Sequence, residues 1–185
     1  MTLQSTSLPI QQSGNLQEYI RIAYDTPVLT REEEVSLFER LQVNGDLDAA
    51  RDLVLSNLRY VVYIARSYNG YGLPLEDLIQ QGSLGLMKSV KRFDSSRGVR
   101  LVTFAAHWIK AEIHDYILKN WRIVKVATTK AQRKLFFNLR KSKQHLGWSN
   151  PEEVKHIASD LGVKEHEVRE MEMRLAGKDE GLDVV

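Results

Sequence analysis

The chain has 185 residues, 43% of them hydrophobic and 27% charged, with a formal net charge of +2 and no cysteine. That length supports one or two domains with real cores, and the missing thiols exclude disulfides, thiolate catalysis and cysteine-ligated zinc while suiting a reducing cytoplasm. The apolar runs are too short to span a bilayer, and residues 1–12 lack the basic start and apolar stretch of a secretory signal.

Residues 1–13 carry no usable periodicity and are expected to be disordered. A short helix is predicted from Leu16 to about Tyr24, ending near Pro27. Thr30 and Glu33 have capping-box spacing, and Val35, Leu37, Phe38 and Leu41 follow before Gly45. Asp46 caps a longer helix whose Leu47, Ala50, Val54, Leu58, Val61 and Ala65 fall on one stripe, the expected core face. Asn69-Gly70-Tyr71-Gly72 reads as a turn. Pro74 can occupy the first position of the next helix, which carries Leu75, Leu78, Ile79, Gly82, Leu86 and Val90 and ends at Phe93. A loop spans 94–98, Thr103 opens a helix to about Asn120, and another runs from about Thr128 to Leu146. Asn150 and Pro151 begin a helix over 151–161, and Gly162 turns into a last helix over 164–175. That pair has helix-turn-helix spacing, a weak signal alone. No segment has strand periodicity and no repeat is visible, so the expected fold is all-α with a boundary near 126–129.

The small net charge hides a partition. Residues 1–87 hold 6 Lys/Arg against 11 Asp/Glu, residues 88–143 hold 15 against 3, and residues 144–185 hold 5 against 10. Clustered cations with so few acids among them mark a surface for a polyanion.

The helix opened by Thr103 lies inside that basic stretch and has two apolar faces. Ala105, Ile109, Ile113 and Ile117 form the expected core stripe, while Phe104, His107, Trp108 and Ala111 gather opposite, bordered by Lys110, His114 and Lys119. Two accounts are open on the residues alone. A neighbouring helix covers the rings, or the rings stack single-stranded bases while cations follow the phosphates, each stacked base being worth roughly 1–3 kcal/mol. Downstream, Arg122, Lys125, Lys130, Arg133, Lys134, Arg140, Lys141 and Lys143 extend the cationic surface, which adds affinity and salt dependence rather than sequence choice.

Residues 77–94 (DLIQQGSLGLMKSVKRFD) resemble the most characteristic segment of the bacterial sigma-seventy family. Residues 98–113 (GVRLVTFAAHWIKAEI) resemble its promoter-melting segment, and 122–140 (RIVKVATTKAQRKLFFNLR) resemble the heat-shock members, including their box at 132–140. The resemblance covers about 16–178. It implies a transcription initiation factor rather than an enzyme, cytoplasmic, without cofactor or metal. Asp77, Gln80, Gln81, Ser83 and Met87 would grip the clamp helices of the largest subunit of core RNA polymerase. Arg100, Thr103, Phe104, His107, Trp108, Lys110, Ala111 and His114 would line the promoter −10 element, with Phe104 and Trp108 near the first flipped non-template base. Arg122, Lys125, Lys130 and Arg133 would track the upstream duplex or extended −10 phosphates. The implied layout is a disordered 1–14, sigma region 1.2 plus domain 2 over 15–126, a three-helix domain 3 over 127–177, and a tail or linker over 178–185. The family also implies capture by Hsp70-type chaperones and degradation by a membrane-bound AAA+ protease, with no insertion of this chain into the membrane; the Leu47/Ala50/Val54 stripe is itself explained as helix core.

Three departures from the family pattern stand out. His107-Trp108 replaces a frequent pair of tryptophans, Gln81 replaces a common glutamate, and the C-terminal helix-turn-helix that reads the −35 element has no counterpart before Val185, so a fragment is expected. Other chemistries fit less well. Residues 82–89 lack the glycine before lysine that a phosphate loop needs, and no strand precedes them. His107 and His114 have no third metal ligand at sensible spacing. A duplex-binding regulator built on 151–175 remains the alternative, but that segment is net acidic and suits a major groove poorly. Preference for single-stranded over duplex DNA separates the two.

Overall fold

Local chemistry starts and stops most of the helices. In the computed structural model, which describes residues 16–122, 127–142 and 149–177, Thr30 and Glu33 close a reciprocal capping box ahead of helix α2 (Arg31–Asn44), and Gly45 ends it at φ 63°. The Asp46 carboxylate accepts from the amides of Asp48 and Ala49 and begins α3 (Leu47–Arg66). Asn150 and Glu153 close a second capping box before α7 (Pro151–Leu161), which ends on Gly162 at φ 60°. Such caps satisfy amides that a helix end leaves bare, each worth about 1 kcal/mol. The remaining α-helices are α1 (Leu16–Asp25), α4 (Leu75–Arg92), α5 (Leu101–Asn120), α6 (Lys130–Ser142) and α8 (Glu165–Ala176). Short 3₁₀ turns at Asn69–Tyr71 and Ser95–Arg97 occupy the expected turn and loop. Every described element is helical, as the periodicity predicts. The expected disorder of 1–14, the tail after 177 and the α6 extension to Leu146 lie outside the described residues.

The helices fall into two compact units, one ending at Tyr116 and the other starting at Ile117, so the division lies within α5. In the first, α3 packs against α1, α2 and α4. Phe38, Leu53, Val61, Leu78, Ile79, Leu86, Leu101, Ile109 and Ile113 are buried there, and Phe38 meets Phe93 with ring centroids 4.7 Å apart.

The expected stripe on α3 needs correction. Leu58, Val61 and Ala65 are buried as predicted, but Leu47 is 80% exposed, and Ala50 and Val54 are only half-buried. The buried line starts instead at Ala49 and Leu53. Both lines fit steps of three and four, so periodicity alone cannot separate two stripes one residue apart when only one side of the first turns has a neighbour.

At the crossing of α4 and α5 the chain permits no side chain. A Cβ on Gly85 would sit 2.6 Å from the Trp108 carbonyl oxygen and 2.8 Å from the Ile109 Cα, and one on Gly82 would sit 2.7 Å from a Val61 methyl. Gly85 lets α4 lie against the backbone of α5, and Gly82 leaves room for the side chains of Val61, Ile109 and Ile113. In the second unit α8 packs on α6 and α7, burying Leu135, Phe136, Leu139, Val154, Val168 and Met171. Trp121 stands edge-on to Phe136 at 4.9 Å, and Ser149 donates to the buried Glu172 at 2.6 Å.

Gly85→Ala should therefore destabilise the fold by about 1–3 kcal/mol through overpacking. Gly70→Ala, whose added carbon meets nothing within 4 Å, should stay within about 0.5 kcal/mol. Urea unfolding of the pair checks this, and equal midpoints would mean that the crossing relaxes.

Candidate nucleic-acid interface

Helix α5 begins two residues before the predicted Thr103, and the reason lies far away in sequence. The buried Glu34 carboxylate of α2 accepts from the Leu101 amide at 3.0 Å, supplying the first turn of α5 with a remote cap. Its second oxygen takes Arg100 Nε at 3.3 Å, and Arg100 also donates to the Leu29 carbonyl at 2.8 Å. Across the same seam Arg31 donates to the Gly98 carbonyl at 3.0 Å. Arg100, expected beside DNA, thus has partners inside the fold that join the start of α5 to α2.

Beyond that turn, α5 shows the two faces read from its sequence. Ala105, Ile109, Ile113 and Ile117 are buried. On the other side Phe104 and Trp108 are half-buried, and Thr103, His107, Lys110 and Ala111 are exposed. The rings form a ledge. Phe93, itself buried, lies 5.7 Å from Phe104, and Phe104 lies 6.2 Å from Trp108. The Arg92 guanidinium sits over the Trp108 ring at 4.6 Å. Aromatic contacts at these separations hold the rings against each other without sealing them, and the cation over the indole adds a positive charge at the open edge. Neither of the two accounts left open by the sequence holds in full, since the rings are partly covered and partly open.

His114 is turned elsewhere. Its Nε2 lies 2.8 Å from the Tyr68 hydroxyl, and the rings meet edge to face at 5.1 Å. Burial, helped by the charge of Lys110, lowers its pKa below the ordinary 6.5. In the second unit Arg122 stacks on Trp121 at 4.4 Å and donates to the Arg174 and Leu175 carbonyls at 3.1 and 3.2 Å, closing the end of α8. Lys130 and Arg133 are exposed on α6, whereas Lys134 donates to the Leu161 carbonyl at 2.6 Å. Lys125 lies outside the described residues. Gln132, first residue of the segment 132–140 that resembles the heat-shock box, accepts from the amides of Thr128 and Thr129 and so caps α6, while Leu135, Phe136 and Leu139 fill the core.

The residues expected to meet polymerase lie on α4. Met87 is exposed, and Gln80, Gln81, Ser83 and Asp77 are half-buried. Ser83 donates to the Ile79 carbonyl at 2.8 Å and lies 3.4 Å from the Tyr19 hydroxyl of α1. Asp77 accepts from the Tyr116 hydroxyl at 2.9 Å. Leu84, which lies off the apolar stripe read from the sequence, is exposed to the same extent as Met87. Arg92 and Phe93 were missed, since their place beside the ledge depends on how α4 crosses α5.

Among the described residues no group of three metal-ligating side chains comes together, and no helix is long and apolar enough to cross a membrane. The α7–α8 pair forms the predicted hairpin, with Glu152, Glu153, Asp160 and Glu165 exposed on it.

Known proteins match this chain at two levels. The family model for sigma-70 region 2 matches residues 53–123, a span holding α4, α5 and most of α3. The RNA polymerase sigma factor RpoH of Caulobacter vibrioides (strain NA1000 / CB15N) is 43% identical to the chain over 188 residues, covering 99% of this chain and 63% of that protein. The chain thus spans less than two thirds of the curated relative.

The lowered pKa of His114 gives a pH signature. Between its folded value and the ordinary value near 6.5, the unfolded chain binds more protons than the folded one. Stability should therefore fall as pH drops below about 6.5 and level off once His114 is protonated in both states. The His114 ring resonances should titrate below the ordinary imidazole value, and His114→Gln should flatten that part of the stability curve.

Proposed function

The chain belongs to the sigma-70 family, in its heat-shock branch, and on that footing we propose that it binds core RNA polymerase and recognises and melts the promoter −10 element. The observation that carries this is the half-open ledge of Phe104 and Trp108 with Arg92 over the indole. A melted strand must leave base stacking and Watson–Crick pairing, so its new site has to present a π-face and a nearby cation together. Stacking of roughly 1–3 kcal/mol per base is comparable to the cost of about 1.4 kcal/mol per duplex step.

In this reading Phe104 and Trp108 receive the first flipped non-template base. Thr103, His107, Lys110 and Ala111 continue the exposed face beside it, and Lys130 and Arg133 of α6 meet upstream phosphates. A histidine in place of a second tryptophan makes the wedge smaller and leaves a ring nitrogen for hydrogen bonding to a base edge or phosphate. Met87, Gln80 and Gln81 of α4 meet the clamp helices of the polymerase. The segment to residue 126 acts as the polymerase-binding and −10 domain, and 127–177 as the domain that touches the extended −10. The factor supplies binding energy and no catalytic group; the chemistry of RNA synthesis belongs to the polymerase.

Trp108→Ala should reduce opening of the −10 region about 5- to 150-fold, the equivalent of one stacked base, while polymerase binding holds. Equal loss of both activities would point to misfolding and remove the assignment. Gln80→Ala should weaken polymerase capture and leave single-stranded DNA binding unchanged, which a pull-down and an anisotropy titration read separately. Affinity for single-stranded DNA should fall with salt at a slope of about 0.7 per neutralised phosphate and exceed that for the same duplex; a flat salt response would contradict the phosphate contacts.

A further inference from the structure

Helices α4 and α5 face each other in two rungs. Arg92 lies over Trp108 at 4.6 Å. One turn back along α4 and one turn on along α5, Lys88 Nζ meets Glu112 Oε1 at 2.7 Å. The two cations are equivalent in position, yet one stands at the open ring ledge and the other is held by an acid. Only Asp94, Glu112 and Asp115 are acidic between residues 88 and 143, and Asp94 is engaged within its own loop by Ser96 and Arg97. Glu112 holds a cation of α4 one turn along from the ledge. Structural need does not explain it. The helices are already fixed where Gly85 touches the α5 backbone, and Lys88 is half-exposed, so the pair adds little to stability.

We propose that Glu112 is a specificity-determining residue that ends the strand-binding track. Its carboxylate holds Lys88 away from phosphates, so a displaced strand is anchored at Arg92 and Trp108. The strand does not run on along α4 toward Met87 and Gln80, where polymerase is to bind. The inference rests on the −10 reading above. A track that ended without an acid would let one polyanion occupy the surface that a protein partner needs.

The test titrates the chain assembled with core polymerase against a dye-labelled, A/T-rich single-stranded oligodeoxynucleotide. Glu112→Gln should raise affinity about two- to fivefold, the scale of one exposed ion pair, and steepen the salt slope by about 0.7, one further phosphate. In Glu112→Gln combined with Lys88→Met both gains should vanish. Unchanged affinity and slope in the single variant would overturn the proposal. So would a gain that survives in the double variant, because the effect would then be general repulsion rather than release of Lys88. A Trp108→Ala arm separates the two levels: if it binds the strand as tightly as the parent chain, the ledge is not the strand site, and the −10 reading falls together with this one.

Discussion

The close approach of α4 to α5 is the constraint on which the candidate interface depends. Because Gly85 carries no Cβ, α4 lies directly on the backbone around Trp108 and Ile109, and the bare Gly82 admits the side chains of Val61, Ile109 and Ile113. Core contact is thereby concentrated on Ile109 and Ile113, and Phe104 and Trp108 emerge beside α4 half open. A thicker α4 would stand farther off, and Arg92 could not reach the indole face. Packing density is thus what turns an apolar helix face into a usable surface.

Charge obeys a second, subtler rule. The basic middle of the chain is visible in composition, but which cations remain available is decided by tertiary structure. Arg100 is bound by Glu34, Arg122 by the last carbonyls of α8, Lys134 by the end of α7 and Lys88 by Glu112. Lys110, Lys130 and Arg133 remain exposed. A count of positive charge therefore overstates the number of phosphates such a surface can neutralise, since a cation with a short internal partner must exchange it.

Much of the fold was legible because its signals are local. The capping box at Thr30, the cap at Asn150, the turns at Gly45 and Gly162, and the core stripe of α5 each need only a few neighbouring residues, and all stand where the sequence puts them. The misses are long-range. Thr103 seemed to open α5 because the true cap, Glu34, is 67 positions away. Leu47 seemed buried because two stripes on α3 satisfy the same period. His114 belonged by sequence to the exposed face, and only the fold brings Tyr68 to it. Gly82 appeared as one member of a stripe, whereas its role and that of Gly85 depend on what crosses α4.

The Glu34 cap has a consequence for how the molecule matures. Helix α5 borrows its starting signal from α2, so its first turn, which holds Thr103 and Phe104, gains its amide acceptor only once α2 has docked. During chain growth or refolding, that end of α5 would stay frayed until a loop of more than sixty residues had closed, a slow step compared with helix growth itself. The geometry of the ring ledge is thereby tied to completion of the domain, and a half-made copy would carry Phe104 on an unformed turn.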